Sequence, residues 1–348
     1  MQNSSTKSAL ITGVTGQDGA YLARLLLHKG YRVFGAVRRS STPNFARLSE
    51  FGIVDDIEFV DFELMDATNY RSILEKAAPD EVYNLASQSY VGASFAQPVY
   101  TGDCDGLGVT RLLEAVRSVN PAIRFYQAST SELFARVHET PQTETTPFHP
   151  LNPYGVAKLY AHWSTINYRE SYGLHTSCGI LYNHESPLRR REFVTRKITF
   201  SLAQVKHGHL DLVEMGNLDA RRDWGFAGDY MDAVWRMVQQ PHGDDFIVAT
   251  GVTHSVRDFV LFAGKCLGFD LAFEGKGSDE HAIDRRSGRV VVRVNPALFR
   301  PAEIDVPTGN AAKAARLLGW RPTMSLADLV ASMAEADDRR VRDGVSPF

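Results

Sequence analysis

Cysteine is scarce in this chain: three residues among 348, at positions 104, 178 and 266, in no CxxC or CxH spacing. That leaves no disulfide framework and no thiolate set for zinc, and it suits buried thiols in a reducing compartment. No metal site is expected. An excess of one charge is also missing. The 38 Lys and Arg stand against 41 Asp and Glu, for a formal charge of −3, which excludes the cationic surplus that nucleic acid or an anionic membrane surface demands. Long apolar runs are lacking too. Nothing approaches the roughly 18 apolar residues of a membrane span, and the polar start, Met1 to Lys7, with only a short apolar stretch behind it, does not read as a signal peptide. The expectation is a cytoplasmic protein with neither nucleic acid nor membrane as partner. With 44% hydrophobic residues over this length, the chain can build one large or two ordinary domains.

What is present begins with the stretch Ser8-Ala9-Leu10-Ile11. It runs into Thr12-Gly13-Val14-Thr15-Gly16-Gln17-Asp18-Gly19 and then into the helical spacing of Tyr21, Leu22, Leu25 and Leu26. Strand, glycine-rich turn and helix in that order form a seat for a dinucleotide's pyrophosphate. Glycine permits the tight turn, backbone N–H groups approach the phosphates, and the last glycine lets the helix pack closely. A second strand, 31–37, ends in Arg38-Arg39-Ser40-Ser41. An acidic residue there would suit NAD; two arginines and two hydroxyls indicate the 2′-phosphate of NADP. Residues 42–56 read as an irregular loop, long enough to reach a neighbouring subunit.

A third strand, 57–62, leads to Glu63 and Leu64, and a fourth, 81–86, opens into Ser87-Gln88-Ser89, where backbone passes close to a cofactor. Strands at 123–128 and 175–181 alternate with helices at 105–119 and 154–172. The pattern is α/β, a doubly wound parallel sheet.

Two segments carry the candidate chemistry. Ser129-Thr130-Ser131-Glu132 stands at the carboxyl end of a parallel strand, the edge where ligands bind. Residues two apart in an extended segment point the same way, so Thr130 and Glu132 would present a hydroxyl and a carboxylate together. Tyr154 and Lys158 are four apart, on one face of a helix, where the ammonium would draw the phenol's pKa toward the range of a working base.

Beyond Tyr182 the texture changes. Arginines at 189–191, 221, 222, 285, 286, 289 and 300 in a chain of net negative charge suggest a small phosphorylated ligand. Residues 1–182 read as the dinucleotide-binding domain, with returning segments near 226–252 and 307–319; residues 183–348 read mainly as a smaller interleaved lobe.

The glycine turn, the serine/threonine segment and the Tyr-x-x-x-Lys pair resemble the extended short-chain dehydrogenase/reductases, with a Rossmann fold, over essentially the whole chain. More narrowly, those segments are similar to the GDP-mannose 4,6-dehydratase family, together with Arg38 to Ser41, Asn183-His184-Glu185-Ser186-Pro187, Phe193-Val194-Thr195-Arg196-Lys197 and Gly216-Asn217-Leu218-Asp219-Ala220-Arg221-Arg222-Asp223-Trp224-Gly225. The resemblance implies a redox-neutral loss of water from a nucleotide sugar through bound NADP. Tyr154, helped by Lys158, would take the 4-hydroxyl proton, Glu132 the proton at carbon 5, and Thr130 would hydrogen-bond the sugar. It also implies NADP contacts at Gly13, Val14, Thr15, Gly16, Gln17, Asp18, Arg38, Arg39, Ser40, Ser41, Glu63, Leu64, Leu85, Ala86, Ser87, Gln88, Ser89, Tyr100, Lys158, His184 and Arg189. GDP-sugar contacts would fall at Ser89, Asn183, Val194, Lys197, Arg222, Arg289 and Glu303. A homo-tetramer is implied as well, a dimer being the alternative, with 38–44 crossing to the neighbour. The chain departs from the family pattern at Glu63, Ser87, Tyr90 and Arg190, and at Phe134-Ala135, where Tyr-Gly is usual. The last departure leaves a related sugar such as a GDP-manno-heptose open, and an NADP-dependent epimerase or reductase of nucleotide sugars is the other enzyme reading.

Overall fold

A computed structural model of the chain describes residues 6–42, 44–299 and 308–345. At its centre is a sheet of seven strands in the spatial order Asp245–Val248, Thr176–Leu181, Arg124–Thr130, Glu81–Asn84, Ser8–Thr12, Arg32–Val37 and Ile57–Asp61. Every pairing in it is parallel. Parallel sheets are covered on both faces, which is why the inner strands are buried along nearly their whole length rather than on alternate residues. Ala9 and Ile11 enter one core with the helices Gln17–His28 and Ala227–Gln239. Leu10, between them, points to the other face and packs with the helices Tyr70–Ala77, Gly108–Val119 and Pro153–Tyr172.

From Ser8–Thr12 the chain winds outward through the second and third strands. It then crosses back to Glu81–Asn84, on the other side of the first strand, and winds outward again. The reversal opens a crevice at the carboxyl ends of the first and fourth strands, where doubly wound sheets bind ligands. The last strand of the sheet, Asp245–Val248, comes from well beyond residue 182.

A separate core joins the helices Val194–Lys206, Val256–Cys266 and Leu326–Arg342 to a four-stranded sheet in the order Leu271–Glu274, His281–Asp284, Val290–Val294, Val213–Met215. A further small sheet joins Thr253–Ser255, Arg221–Phe226 and Asn183–Glu185.

Two local readings change. The helix expected from 105 begins at Pro98 and runs to Val119 through a wider π turn at Asp103–Leu107. The loop 42–56 contains a helical turn, Ala46–Ser49, that carries Arg47 inward. The final helix, Leu326–Arg342, carries a buried Asp337 that pairs with both Arg196 and Arg340.

Candidate active site

The turn after the first strand is seated against the fourth. Gly13 has φ +71°, and a Cβ there would stand 2.9 Å from the backbone nitrogen of Ala86, so both the conformation and the space call for glycine. Val14 is fully buried, with its side chain in the core. Gln17 and Asp18 then join this turn to a segment more than 160 residues away. Gln17 Nε2 donates to the carbonyl of His184 at 3.0 Å, Gln17 Oε1 accepts from Ser186 Oγ at 2.8 Å, and Asp18 Oδ2 lies 2.9 Å from His184 Nε2. Burial alone would raise the Asp18 carboxyl; the charge and hydrogen bond of His184, with Gln17, bring it down to about 2. His184, which burial alone would lower, is raised above its ordinary value by Asp18.

Thr130 and Glu132 meet by a different route from strand alternation. The strand stops at Thr130, and Ser131–Phe134 forms a turn of 3₁₀ helix whose cap is Thr130, its hydroxyl oxygen accepting from the Glu132 N–H at 3.2 Å. A Thr–x–Glu at a strand end is also a helix start, and here the capping geometry wins. Tyr154 and Lys158 lie in the first turns of Pro153–Tyr172 and are both buried. Lys158 Nζ donates to the carbonyl of Ala128 at 3.1 Å and stands 5.8 Å from the centre of the Tyr154 ring.

The expected lowering of the Tyr154 phenol by Lys158 is not met by these protein groups. Burial pushes the phenol well up, the carboxylates of Asp105 and Glu132 add to the rise, and Thr130 and Arg189 oppose it. Burial likewise lowers Lys158, against the pull of the Asp105 carboxylate. In a dry pocket at this separation, desolvation outweighs a single cation.

These groups line one cleft of about 670 Å³. Around it stand Gly13, Thr15, Gly16, Gln17, Asp18, Arg38, Glu63, Leu64, Leu85, Ala86, Ser87, Gln88, Ser89, Tyr100, Thr130, Glu132, Tyr154, Lys158, Asn183, His184 and Arg189. The four candidate catalytic residues and the glycine turn therefore face one space. Arg39, Ser40, Ser41 and Arg289 are exposed and outside the lining, and the half-buried Val194, Lys197 and Arg222 are outside it too. Glu303 lies outside the described residues.

A profile of the GDP-mannose 4,6 dehydratase family matches residues 10–333. The chain belongs to the GDP-mannose 4,6-dehydratase family. It is 49% identical to a GDP-mannose 4,6-dehydratase of Vibrio cholerae, over 95% of this chain and 94% of that one. It is 46% identical to a human GDP-mannose 4,6 dehydratase, over 96% and 92% of the two chains. In fold it is similar to a dTDP-glucose 4,6-dehydratase of Streptomyces venezuelae solved with NAD and TYD bound, with a TM-score of 0.81 at 21% identity over 98% and 99% of the chains.

Within this family frame, Phe134 does not reach the cleft. It is 1% exposed and packs with Ile180, Tyr182, Ile247, Ala249 and Phe148. Three residues that spacing alone did not single out take part in the site. Asp105, in the π turn, is 1% exposed; its Oδ1 accepts from the Gln88 N–H at 2.7 Å, and its charge acts on Lys158 and Tyr154. Arg47 lines the cleft and donates to the carbonyls of Leu188 and Thr15. Asn152, just ahead of Pro153, touches Glu132. An aspartate inside an apolar helix pattern and an asparagine before Pro-Tyr were the available signals.

Proposed function

We propose that this protein is an NADP-dependent hydro-lyase that converts GDP-mannose to GDP-4-keto-6-deoxymannose and water. The observation that carries the reading is a carboxylate, Glu132, in the same cleft as Thr130, Tyr154 and Lys158. A reductase or epimerase of this fold needs only the hydroxyl, phenol and ammonium. The carboxylate is the extra group that elimination requires. Family membership supports the same substrate, and the burial of Phe134 away from the cleft removes the main argument for a heptose.

The residues present fit a dinucleotide. Gly13 leaves the space that a Cβ would fill, Ser87 Oγ and Ser129 Oγ are buried at the cleft without a hydrogen-bond partner among the described residues, and Arg38 supplies a cation at the end of the second strand. The turn 13–18, Arg38, Glu63, Leu64, 85–89, Tyr100, His184 and Arg189 would hold NADP. When bound, NADP supplies an acceptor and then a donor for one hydride, and its oxidised ring adds a positive charge that favours the ionised form of Tyr154. Tyr154 takes the proton of the sugar's 4-hydroxyl, and Lys158 lends charge to the phenolate. Thr130 hydrogen-bonds the sugar. Carbon 5, beside the resulting ketone, is acidic enough for Glu132 to take its proton. Asn183, Ser89, Val194, Lys197, Arg222, Arg289 and Glu303 are proposed for the GDP-sugar.

Residues 1–182 with the returning segments form the proposed cofactor domain, and 183–348 mainly the sugar-binding lobe. A homo-oligomer, tetramer or dimer, fits the exposed Phe95, Val99, Leu107, Val156, Tyr160 and Trp163, apolar side chains on neighbouring helical segments that a partner copy would cover. A cytoplasmic location fits the thiol content, and among the described residues no helix is long and apolar enough to cross a membrane.

The test is incubation of the purified protein with GDP-mannose, read by product mass. Loss of one water with no net change in NADPH absorbance is expected; stoichiometric consumption of NADPH would defeat the reading.

A further inference from the structure

We infer that Asn152 is the positioning residue for the Glu132 carboxylate, and that it performs this task with the same side chain that starts the Tyr154–Lys158 helix. The inference rests on Glu132 being the base at carbon 5. Asn152 is 7% exposed and occupies the N-cap of Pro153–Tyr172 in extended backbone. Its Oδ1 accepts the N–H of Gly155 at 2.8 Å, which satisfies one of the helix's unpaired donors. Its Nδ2 donates to Glu132 Oε2, also at 2.8 Å. The two partners agree on the orientation of the amide, since an N–H needs an acceptor and a carboxylate needs a donor.

The residue type follows from this double duty. Serine, threonine and aspartate cap helices about as well as asparagine. Aspartate has no hydrogen to give, and a hydroxyl would have to serve both partners through one oxygen set closer to the backbone. Asparagine alone among the strong caps has an acceptor end and a separate donor end. The helix start is also pressed against the Glu132 segment: a Cβ on Gly155 would lie 3.0 Å from the Glu132 carbonyl oxygen. Glu132 is thus held at its N–H by Thr130 and at Oε2 by Asn152, while Oε1 makes no hydrogen bond among the described residues. In the elimination the C5–H bond breaks and its proton passes to Glu132. The electron pair forms the C5–C6 double bond, and that proton leaves with the carbon-6 hydroxyl as water. Asn152 keeps the accepting carboxylate aimed at carbon 5 without touching the sugar.

The experiment compares Asn152→Ser, Asn152→Asp and Glu132→Gln in the full-length protein, using GDP-mannose with hydrogen or deuterium at carbon 5. Asn152→Ser keeps a cap and should keep its thermal midpoint and KM. Its kcat should fall about tenfold, as expected on losing one hydrogen bond to a charged group, with a larger isotope effect on kcat. Asn152→Asp should fall further, because it sets a second carboxylate against Glu132. Wild-type kcat and isotope effect in both Asn152 variants, beside an inactive Glu132→Gln, would overturn the role of Asn152 alone. A loss of kcat in Asn152→Ser that only tracks a lowered thermal midpoint, with the isotope effect unmoved, would overturn it too. Full turnover by Glu132→Gln would overturn the base assignment, and the inference with it.

Discussion

The Asp105–Lys158–Tyr154 group at the cleft and the Arg196–Asp337–Arg340 group near the end of the chain both keep charge away from water, and they are built on opposite rules. Asp337 is fully buried, and both of its oxygens are occupied. Arg196 Nε lies 2.8 and 2.7 Å from them, Thr199 Oγ1 donates to Oδ2 at 2.7 Å, and Arg340 Nη1 reaches Oδ1 at 3.3 Å. The arginines continue to the carbonyls of Pro187 and Arg189, so this group also steadies the segment that brings Arg189 to the cleft. At the cleft, Asp105 Oδ2 has no hydrogen-bond partner among the described residues, Lys158 donates to a single carbonyl, and burial drives Asp105 up and Lys158 down. The carboxylate that holds the fold, Asp337, is satisfied internally at both oxygens. The carboxylate at the cleft, Asp105, keeps one oxygen without a partner among the described residues, which is capacity that a ligand-binding site would retain.

The comparison breaks most sharply at Lys158. Lys158→Met should reduce kcat on GDP-mannose by about 10³-fold, the scale of losing a group that supports charge in the transition state; turnover within tenfold of wild type would remove the cleft group from the chemistry. For the other cluster the loss belongs in stability. Asp337→Ala removes the buried carboxylate that balances the Arg196 charge and should cost about 3–5 kcal/mol in urea unfolding, whereas a change below ~1 kcal/mol would mean the cluster is not what ties the last helix down. Asp105→Asn preserves the acceptor for Gln88 and removes only charge. A drop of about tenfold in kcat with an unchanged urea midpoint would sharpen the contrast, and an unstable protein with normal kcat would reverse it.

The Asp18–His184 pair lies between the two types, and its effect is the smallest. Asp18 is depressed to about 2, so its contribution is present above the usual aspartate pKa of ~3.9 and is lost as pH falls toward the folded value. His184 is raised, so its contribution is present below the usual histidine pKa of ~6.5 and is lost as pH rises through the folded value. Asp18→Asn should therefore lower the urea midpoint more at about pH 5.5 than at about pH 8.5. Equal losses at both would show that the histidine's charge plays no part.

Six of the seven central strands were legible, all but Asp245–Val248, because buried parallel strands are short apolar runs separated by helical periods. The glycine turn was legible for a related reason: a close approach of backbone to backbone admits one residue type, as at Gly13. The strands of the four-stranded sheet were not, since each is held by pairing with a partner that sequence spacing does not name. Thr130 and Glu132 were placed correctly at a strand end, but a cap rather than strand alternation brings them together. At Tyr154 spacing reveals a neighbouring cation and says nothing of burial, which raises the phenol. Residue types and their order thus determined most of the sheet, the turn and the candidates for the reacting groups. Only the tertiary structure decided which of those groups are dry, and that Gln17 grips His184 and Asn152 grips Glu132, because desolvation and hydrogen-bond geometry depend on what the rest of the chain packs around them.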